Sequence, residues 1–321
     1  LTSSCHGALH LVLKAIGVEK GDEVIVPDIT WASGTVFPVC WVGAKPIFVD
    51  VKQDTWCIDP SLIEAKITSK TKAIIAVHLY GNMADMDELR TIANRHNLIL
   101  IEDAAEAIGS AYKGMKAGTI GDFGVFSFHG TKTVTTGEGG VIITNSDKYT
   151  ETLSTLENQG RKPGSRLFWC EEIGLKYKMS NIQAALGLAQ FERVEELVQK
   201  KRWIFEAYKN QLSDLPDKTM NHEDIHVTNG FWQPTIVFGD SWAFDEGRRN
   251  QLVDDMIAEK VQIRPFFYPV SSMPPFESNA NDENEISYSI YKTGINLPSY
   301  HELESEDISY IVQKLKNHLS S

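Results

Sequence analysis

Cysteine is scarce in this chain. The four in 321 residues, Cys5, Cys40, Cys57 and Cys170, lie far apart with no C-x-x-C spacing. That excludes a disulfide-stapled scaffold and a cysteine-based zinc site, and predicts reduced thiols in a cytoplasmic protein. No apolar run is long enough to span a bilayer and no secretory h-region is present, so no membrane association is expected. A basic surplus is lacking too: 31 Lys and Arg stand against 43 Asp and Glu, a net charge of −12. Nucleic acid and acidic membrane surfaces both call for a broad basic face and are not expected as main partners. A small anion held by local lysines and backbone amides stays compatible with this balance. No internal repeat is visible. Gly137-Glu-Gly-Gly140 lacks the Gly-Lys-Ser/Thr ending of a P-loop and precedes a strand, so it is not a nucleotide loop of that kind.

Of the residues present, 42% are hydrophobic, enough for a sizeable core, and the length suits two domains. Strands are expected over Asp22–Pro27, Pro46–Asp50, Ala73–Gly81, Leu98–Ile101, Gly121–Phe128 and Gly139–Asn145, with helices after Ser3 or Ser4 and from Asp85 to about His96. Strands alternating with helices argue for a doubly wound α/β unit over 1–208. Ser180 and Gln183, at capping-box spacing, open what reads as one long helix to about Tyr208. Beyond it, 209–321 reads as a smaller α+β domain. It holds a strand at Pro234–Phe238, a helix near Gln251–Glu259, a proline-broken strand over Val261–Pro269, a polar exposed stretch at Glu277–Glu285 and a last helix from about Glu304. The chain opens on Leu1 in the middle of a motif, which predicts a preceding N-terminal segment.

Four local features carry chemistry. Thr2-Ser-Ser-Cys-His-Gly7 feeds a helix start, suited to phosphate or to an ordinary N-cap. Trp31 follows a strand end, where it either stacks on a planar ring or roofs the core. Glu102-Asp103-Ala-Ala-Glu106 places acids at the end of a buried strand, a costly position unless a cation or donor meets them. A pyridinium nitrogen, a metal or an N-cap would satisfy Asp103. Ser127-Phe-His-Gly-Thr-Lys132 sets a hydroxyl and an amine five residues apart between two strands. The basic, aromatic stretch 160–178 is either a solvated loop or a grip for a diphosphate and a flat base.

Taken in this order, the phosphate cup, the tryptophan, the acidic strand end and Ser-x4-Lys resemble the fold-type I aminotransferases of nucleotide-linked sugars, the DegT/DnrJ/EryC1/StrS family, over essentially the whole chain. The 127–140 run, Asp103-Ala-Ala-Glu-Ala107, Lys176-Tyr-Lys-Met-Ser180 and Phe267-Tyr-Pro-Val-Ser-Ser-Met-Pro-Pro-Phe276 resemble the branch that aminates GDP-4-keto-6-deoxymannose at C4 with glutamate as donor. Such a resemblance implies a mostly parallel central sheet flanked by helices, pyridoxal 5'-phosphate as cofactor, a homodimer with shared active sites and a role in making a surface-polysaccharide precursor. It implies that Lys132 bonds the cofactor and carries the proton, that Asp103 pairs with the ring nitrogen, and that Trp31 stacks on the ring. Ser127, with the amides around Cys5 and His6, would hold the phosphate, and Glu106 would lie near the phenolic oxygen, hydrogen-bonded or protonated. Lys176 stands where many relatives carry an asparagine that reaches the neighbouring subunit's site. Cys5-His6 replaces the usual Gly-Thr of the cup, and Ser271 replaces a histidine. Amination of a UDP- or dTDP-linked keto sugar is the alternative within the family; a cofactor-binding regulator is the alternative outside it. His129 has no role assigned by the pattern.

Overall fold

Short β-branched runs assemble into one central sheet. In the computed structural model, which describes residues 1–279 and 284–320, the first eight strands are β1 (Glu23–Pro27), β2 (Lys45–Val49), β3 (Thr71–Val77), β4 (Ile99–Asp103), β5 (Ala111–Tyr112), β6 (Met115–Lys116), β7 (Phe123–Ser127) and β8 (Gly140–Ile143). Six of them form a sheet of order β2-β1-β3-β4-β7-β8, parallel throughout except for the antiparallel β7–β8 pair. Val24, Ile25, Ile74, Ile75, Leu100 and Ile101 are fully buried, as expected of parallel strands covered on both faces. Here the structure has the α/β architecture that the strand-helix alternation predicts.

Helices α1 (Cys5–Ala15), α2 (Ala32–Thr35), α3 (Phe37–Trp41), α4 (Met86–His96) and α5 (Asp147–Glu157) follow or precede these strands. The N-cap of α1 is Ser4, whose Oγ accepts the Gly7 N–H at 3.1 Å. Asp85 caps α4, accepting the Glu88 N–H, and Asn97 ends that helix in the left-handed region with φ 54°.

The single long helix expected from Ser180 to Tyr208 is two: α6 (Asn181–Phe191), opened by the predicted Ser180–Gln183 capping box, and α7 (Val194–Gln211). Arg193, at φ −115° and ψ 14°, breaks the helical path between them. The reason lies in what each segment covers. Along α7, Leu197, Val198, Ile204, Phe205 and Tyr208 are buried, whereas Gly187 alone is buried along α6. One straight helix cannot present those two faces.

Beyond α7, β9 (Lys218–Met220), β10 (Val227–Thr228), β11 (Thr235–Phe238), β12 (Arg264–Pro265) and β13 (Gly294–Asn296) alternate with α8 (Glu246–Ala258), α9 (Glu285–Thr293) and α10 (Ser305–Leu319). Strands β12-β13-β11-β9 form an antiparallel sheet, and β10 pairs with β5. The strand predicted over Val261–Pro269 shrinks to Arg264–Pro265, since neither proline offers an N–H to a neighbouring strand. Helices α7, α8 and α10 close a second core through Ile204, Tyr208, Leu252, Met256 and Leu315 against Ile236 and Ile295. Phe266, Val270, Phe276 and Ile290 instead join the core of the central sheet. Residues 280–283 of the polar stretch Glu277–Glu285 lie outside the described residues. Asn284, at its end, is buried rather than exposed, because its amide donates to Asp28 Oδ2 at 2.7 Å.

Candidate active site

Because β3, β4 and β7 are parallel and in register, their carboxyl ends deliver polar residues to one edge of the sheet. Asp103 ends β4, and no helix follows it, so its carboxylate is not a helix N-cap. Oδ1 accepts the Ala105 N–H at 3.2 Å and Oδ2 accepts the Thr35 hydroxyl at 2.7 Å. With its proton given to Asp103, Thr35 Oγ accepts from the Thr30 hydroxyl at 2.8 Å. Two donors fill only part of the acceptor capacity of a carboxylate, which leaves room for another, such as a protonated ring nitrogen.

Glu106 lies a turn further on. Oε2 accepts the Tyr80 N–H at 2.8 Å, and Oε1 lies 3.4 Å from Lys132 Nζ. Burial pushes the Glu106 carboxyl above its ordinary range against the pull of Lys132 and the Tyr80 N–H, with Asp103 adding to the rise. The Lys132 ammonium also sits 3.8 Å above the centre of the Trp232 ring.

The helix start is the third component. Gly140, opposite Ser127 in the β7–β8 pair, lies so close to α1 that a Cβ on it would come within 2.7 Å of Ser4 C and 2.8 Å of Cys5 N. Only glycine lets the end of β7 and the first amides of α1 share one hollow, and Ser127 accepts the His129 N–H at 3.3 Å there. Burial, reinforced by Asp103, pushes the Cys5 thiol well up, so it stays neutral. Burial also lowers His6. A neutral thiol and imidazole leave the amides and the helix dipole as the anion-binding groups.

Trp31 does not roof the core: it is 56% exposed, with its ring 5.9 Å from that of Phe267. A Cβ on Gly34 would stand 3.0 Å from Trp31 Cδ1 and 3.6 Å from His6 Nε2. The turn of α2 that gives Thr35 to Asp103 therefore sets the indole beside the helix start. Lys176 is apart from this group, exposed on a segment bridged to Asn158. His129 faces outward, with Nδ1 3.0 Å from Thr131 Oγ1. Ser271 is fully buried, and its hydroxyl donates to Asp28 Oδ2 at 2.6 Å.

Thr30, Thr35, Tyr80 and Trp232 escaped the sequence reading. Tyr80 lies in a polar strand tip that was visible in the sequence, and its φ of 54° marks it as strained. Nothing local singles out the other three. Beside Lys132 a cavity of about 850 Å³ carries Arg193, Lys201, Lys260 and Arg264 on its walls, a cationic lining in an acidic protein.

An amine beside a buried acid, an oriented second carboxylate, a helix start with free amides and an indole face fit pyridoxal phosphate. When bound, the cofactor supplies an electron-withdrawing ring that stabilises negative charge at the substrate carbon. Fold and donor set together define a pyridoxal phosphate-dependent aminotransferase. Residues 1–316 match the model of the DegT/DnrJ/EryC1/StrS aminotransferase family, and the chain belongs to that family. It is 41% identical over 309 residues to the GDP-perosamine synthase of Caulobacter vibrioides, covering 96% of this chain and 82% of that one. Identity to the GDP-perosamine synthase of Escherichia coli O157:H7 is also 41%, over 98% of this chain and 83% of that one. A sugar-aminotransferase candidate from Streptococcus pneumoniae, solved in its PLP form, superposes with a TM-score of 0.90 at 27% identity, covering 99% of this chain and 86% of that one. No helix among the described residues is long and apolar enough to cross a membrane.

Proposed function

We propose that this aminotransferase moves the amino group of glutamate to C4 of a GDP-linked 4-keto-6-deoxy sugar, most simply GDP-4-keto-6-deoxymannose. The observation that carries the reading is near-full-length identity of 41% to two GDP-perosamine synthases, joined to a lysine with an acid at 3.4 Å. In this reading Lys132 holds the cofactor and moves the proton, Asp103 keeps the ring nitrogen protonated, and Trp31 covers one ring face. Ser127 with the Cys5 and His6 amides takes the phosphate, and Glu106 faces the phenolic oxygen. Cations lining the neighbouring cavity support anionic reactants.

A homodimer is part of the proposal. Helix α6 turns Ile182 (80% exposed), Leu186, Leu188 and Phe191 outward, and Leu167, Phe168 and Trp169 are exposed nearby in the chain. A second copy covering that apolar area would bring Lys176 to the neighbouring site. We assign the chain to two domains, 1–208 and 209–321, and to the cytoplasm, where its four free cysteines stay reduced.

The test presents GDP-, UDP- and dTDP-linked 4-keto-6-deoxy sugars side by side to the cofactor-loaded protein with glutamate as donor. Turnover is expected with the GDP sugar and to be lost in Lys132→Ala; a clear preference for a uridine or thymidine sugar overturns the substrate, and undiminished turnover in Lys132→Ala overturns the nucleophile. Glutamate alone is expected to shift the visible absorbance of the bound cofactor.

A further inference from the structure

Lys132 has to be held in two situations: bonded to the cofactor, and free after the bond is released. A four-carbon stem gives the free lysine many rotamers, which a confining seat must restrict. In the structure the ammonium meets Glu106 Oε1 at 3.4 Å and the face of Trp232, with Nζ 3.8 Å from the ring centre. The indole is itself fixed. Its Nε1 donates to the carbonyl of Thr131, the residue just before the lysine, at 2.8 Å. The Trp232 carbonyl accepts from Ser299 Oγ at 3.2 Å, and Tyr80 stacks with the ring at 6.2 Å and 28°. Trp232 is buried, so water competes little for the cation.

We propose that Trp232 is a positioning residue for Lys132, its indole face seating the ε-ammonium while the lysine is free of the cofactor, so that the amine stays within reach of Glu106 and of the reacting centre. The proposal rests on the reading of Lys132 as the residue that binds the cofactor and moves the proton. The attraction is selective. A ring quadrupole draws an ammonium and does little for a neutral amine, so a lysine that has given up its proton leaves the ring face, and one that has taken a proton returns. Because the Thr131 carbonyl holds the indole edge, ring and lysine backbone are held in one register. Glu106 alone would not define the direction of approach. At 3.4 Å a single carboxylate oxygen accepts from a wide cone, and the flat ring below removes half of it.

Two measurements decide this. In the full chain stripped of cofactor and labelled with 13C at lysine Cε, the Lys132 resonance, assigned by its loss in Lys132→Arg, is expected upfield of the ordinary lysine position through the ring current. It should move less in Trp232→Phe and return to the ordinary lysine position in Trp232→Leu. With the cofactor bound, Trp232→Leu is expected to lower kcat by about three- to tenfold while both KM values stay within about twofold, and Trp232→Phe to fall between it and the parent. An ordinary Lys132 shift in the parent overturns the seat, and unchanged kcat in folded Trp232→Leu overturns its role. Should Trp232→Leu fail to fold, the Phe variant decides alone through the same two readouts. Borohydride reduction followed by peptide mass analysis separately reports whether the cofactor is on Lys132; its failure would sink the functional reading and leave the resonance result standing.

Discussion

Thr35 Oγ donates a 2.7 Å hydrogen bond to Asp103 Oδ2, and both residues are buried. This bond crosses from the short helix after β1 to the end of β4 and fixes the plane of the carboxylate. A hydrogen bond to a charged group contributes about 1.5–3 kcal/mol. Thr35→Val keeps the shape and removes the donor, so cofactor affinity is expected to fall by roughly tenfold or more. Titrating cofactor-free protein and following the visible band measures it; unchanged affinity would mean that Thr35 does not orient Asp103.

Trp31 offers a cleaner separation of binding from folding. A solvent-exposed indole contributes little to the core, so Trp31→Ala is expected to change unfolding stability by less than about 0.5 kcal/mol. Loss of ring stacking should weaken cofactor binding by about three- to tenfold. A large drop in stability with unchanged cofactor affinity would restore the core-roof reading.

His78 Nε2 and Glu102 Oε2 are hydrogen-bonded at 2.9 Å, and both side chains are fully buried. The Ala84 N–H donates to His78 Nδ1 at 3.2 Å, so the imidazole proton is on Nε2, where it meets Glu102. Glu102 also accepts the N–H groups of Gly118, Ile120 and Gly121. Burial alone would raise this carboxyl; the His78 hydrogen bond, with the backbone donors, brings it below its ordinary range. A depressed carboxylate adds stability above its unfolded pKa and loses it as pH falls through the folded one. Glu102→Ala leaves the His78 Nε2–H and three backbone N–H groups without their acceptor, at about 1–3 kcal/mol for each one that stays buried, and the difference from the parent is expected to shrink in acid. Urea unfolding of both proteins at neutral and acidic pH measures it.

Lys201 is the reverse case. Burial lowers its pKa from 10.5 to about 8, with the Lys132 charge adding to the effect, and its ammonium donates to the Ser299 carbonyl and hydroxyl. A lysine whose folded pKa is depressed destabilises the fold below that value, and the penalty fades as pH rises from about 8 to 10.5. The 2.5-unit difference corresponds to about 3 kcal/mol. Lys201→Met should gain up to that amount at neutral pH, less what the unpaired Ser299 carbonyl costs, and the gain should vanish toward pH 10.5. Unfolding curves across that range test it; a pH-independent difference would mean that Lys201 is not titrating.

Much of the site was legible in the sequence because of where strands end. An apolar run ending in Glu102-Asp103, and the aromatic and apolar run Phe123–Phe126 ending at Ser127, put those side chains at the carboxyl edge of a parallel sheet by local pattern alone. The helix start near Cys5 was readable from the Ser3-Ser4 pair, and the structure makes Ser4 the cap. These features need only neighbours within a few residues, and a short window of sequence contains them.

What joins the pieces is non-local. Thr35 meets Asp103 across 68 positions, and Trp232 meets Thr131 across 101. Ser271 and Asn284 tie back to Asp28, the residue just after β1, across 243 and 256. The break at Arg193 likewise follows from two surfaces that α6 and α7 must cover, which no helical periodicity reveals. The sequence by itself determined the strands of the central sheet, the reactive amine and the acids, because periodicity and strand ends are local. Tertiary structure decided how those acids are oriented and where the amine rests, because orientation comes from side chains that meet only after the sheet and its flanking helices close.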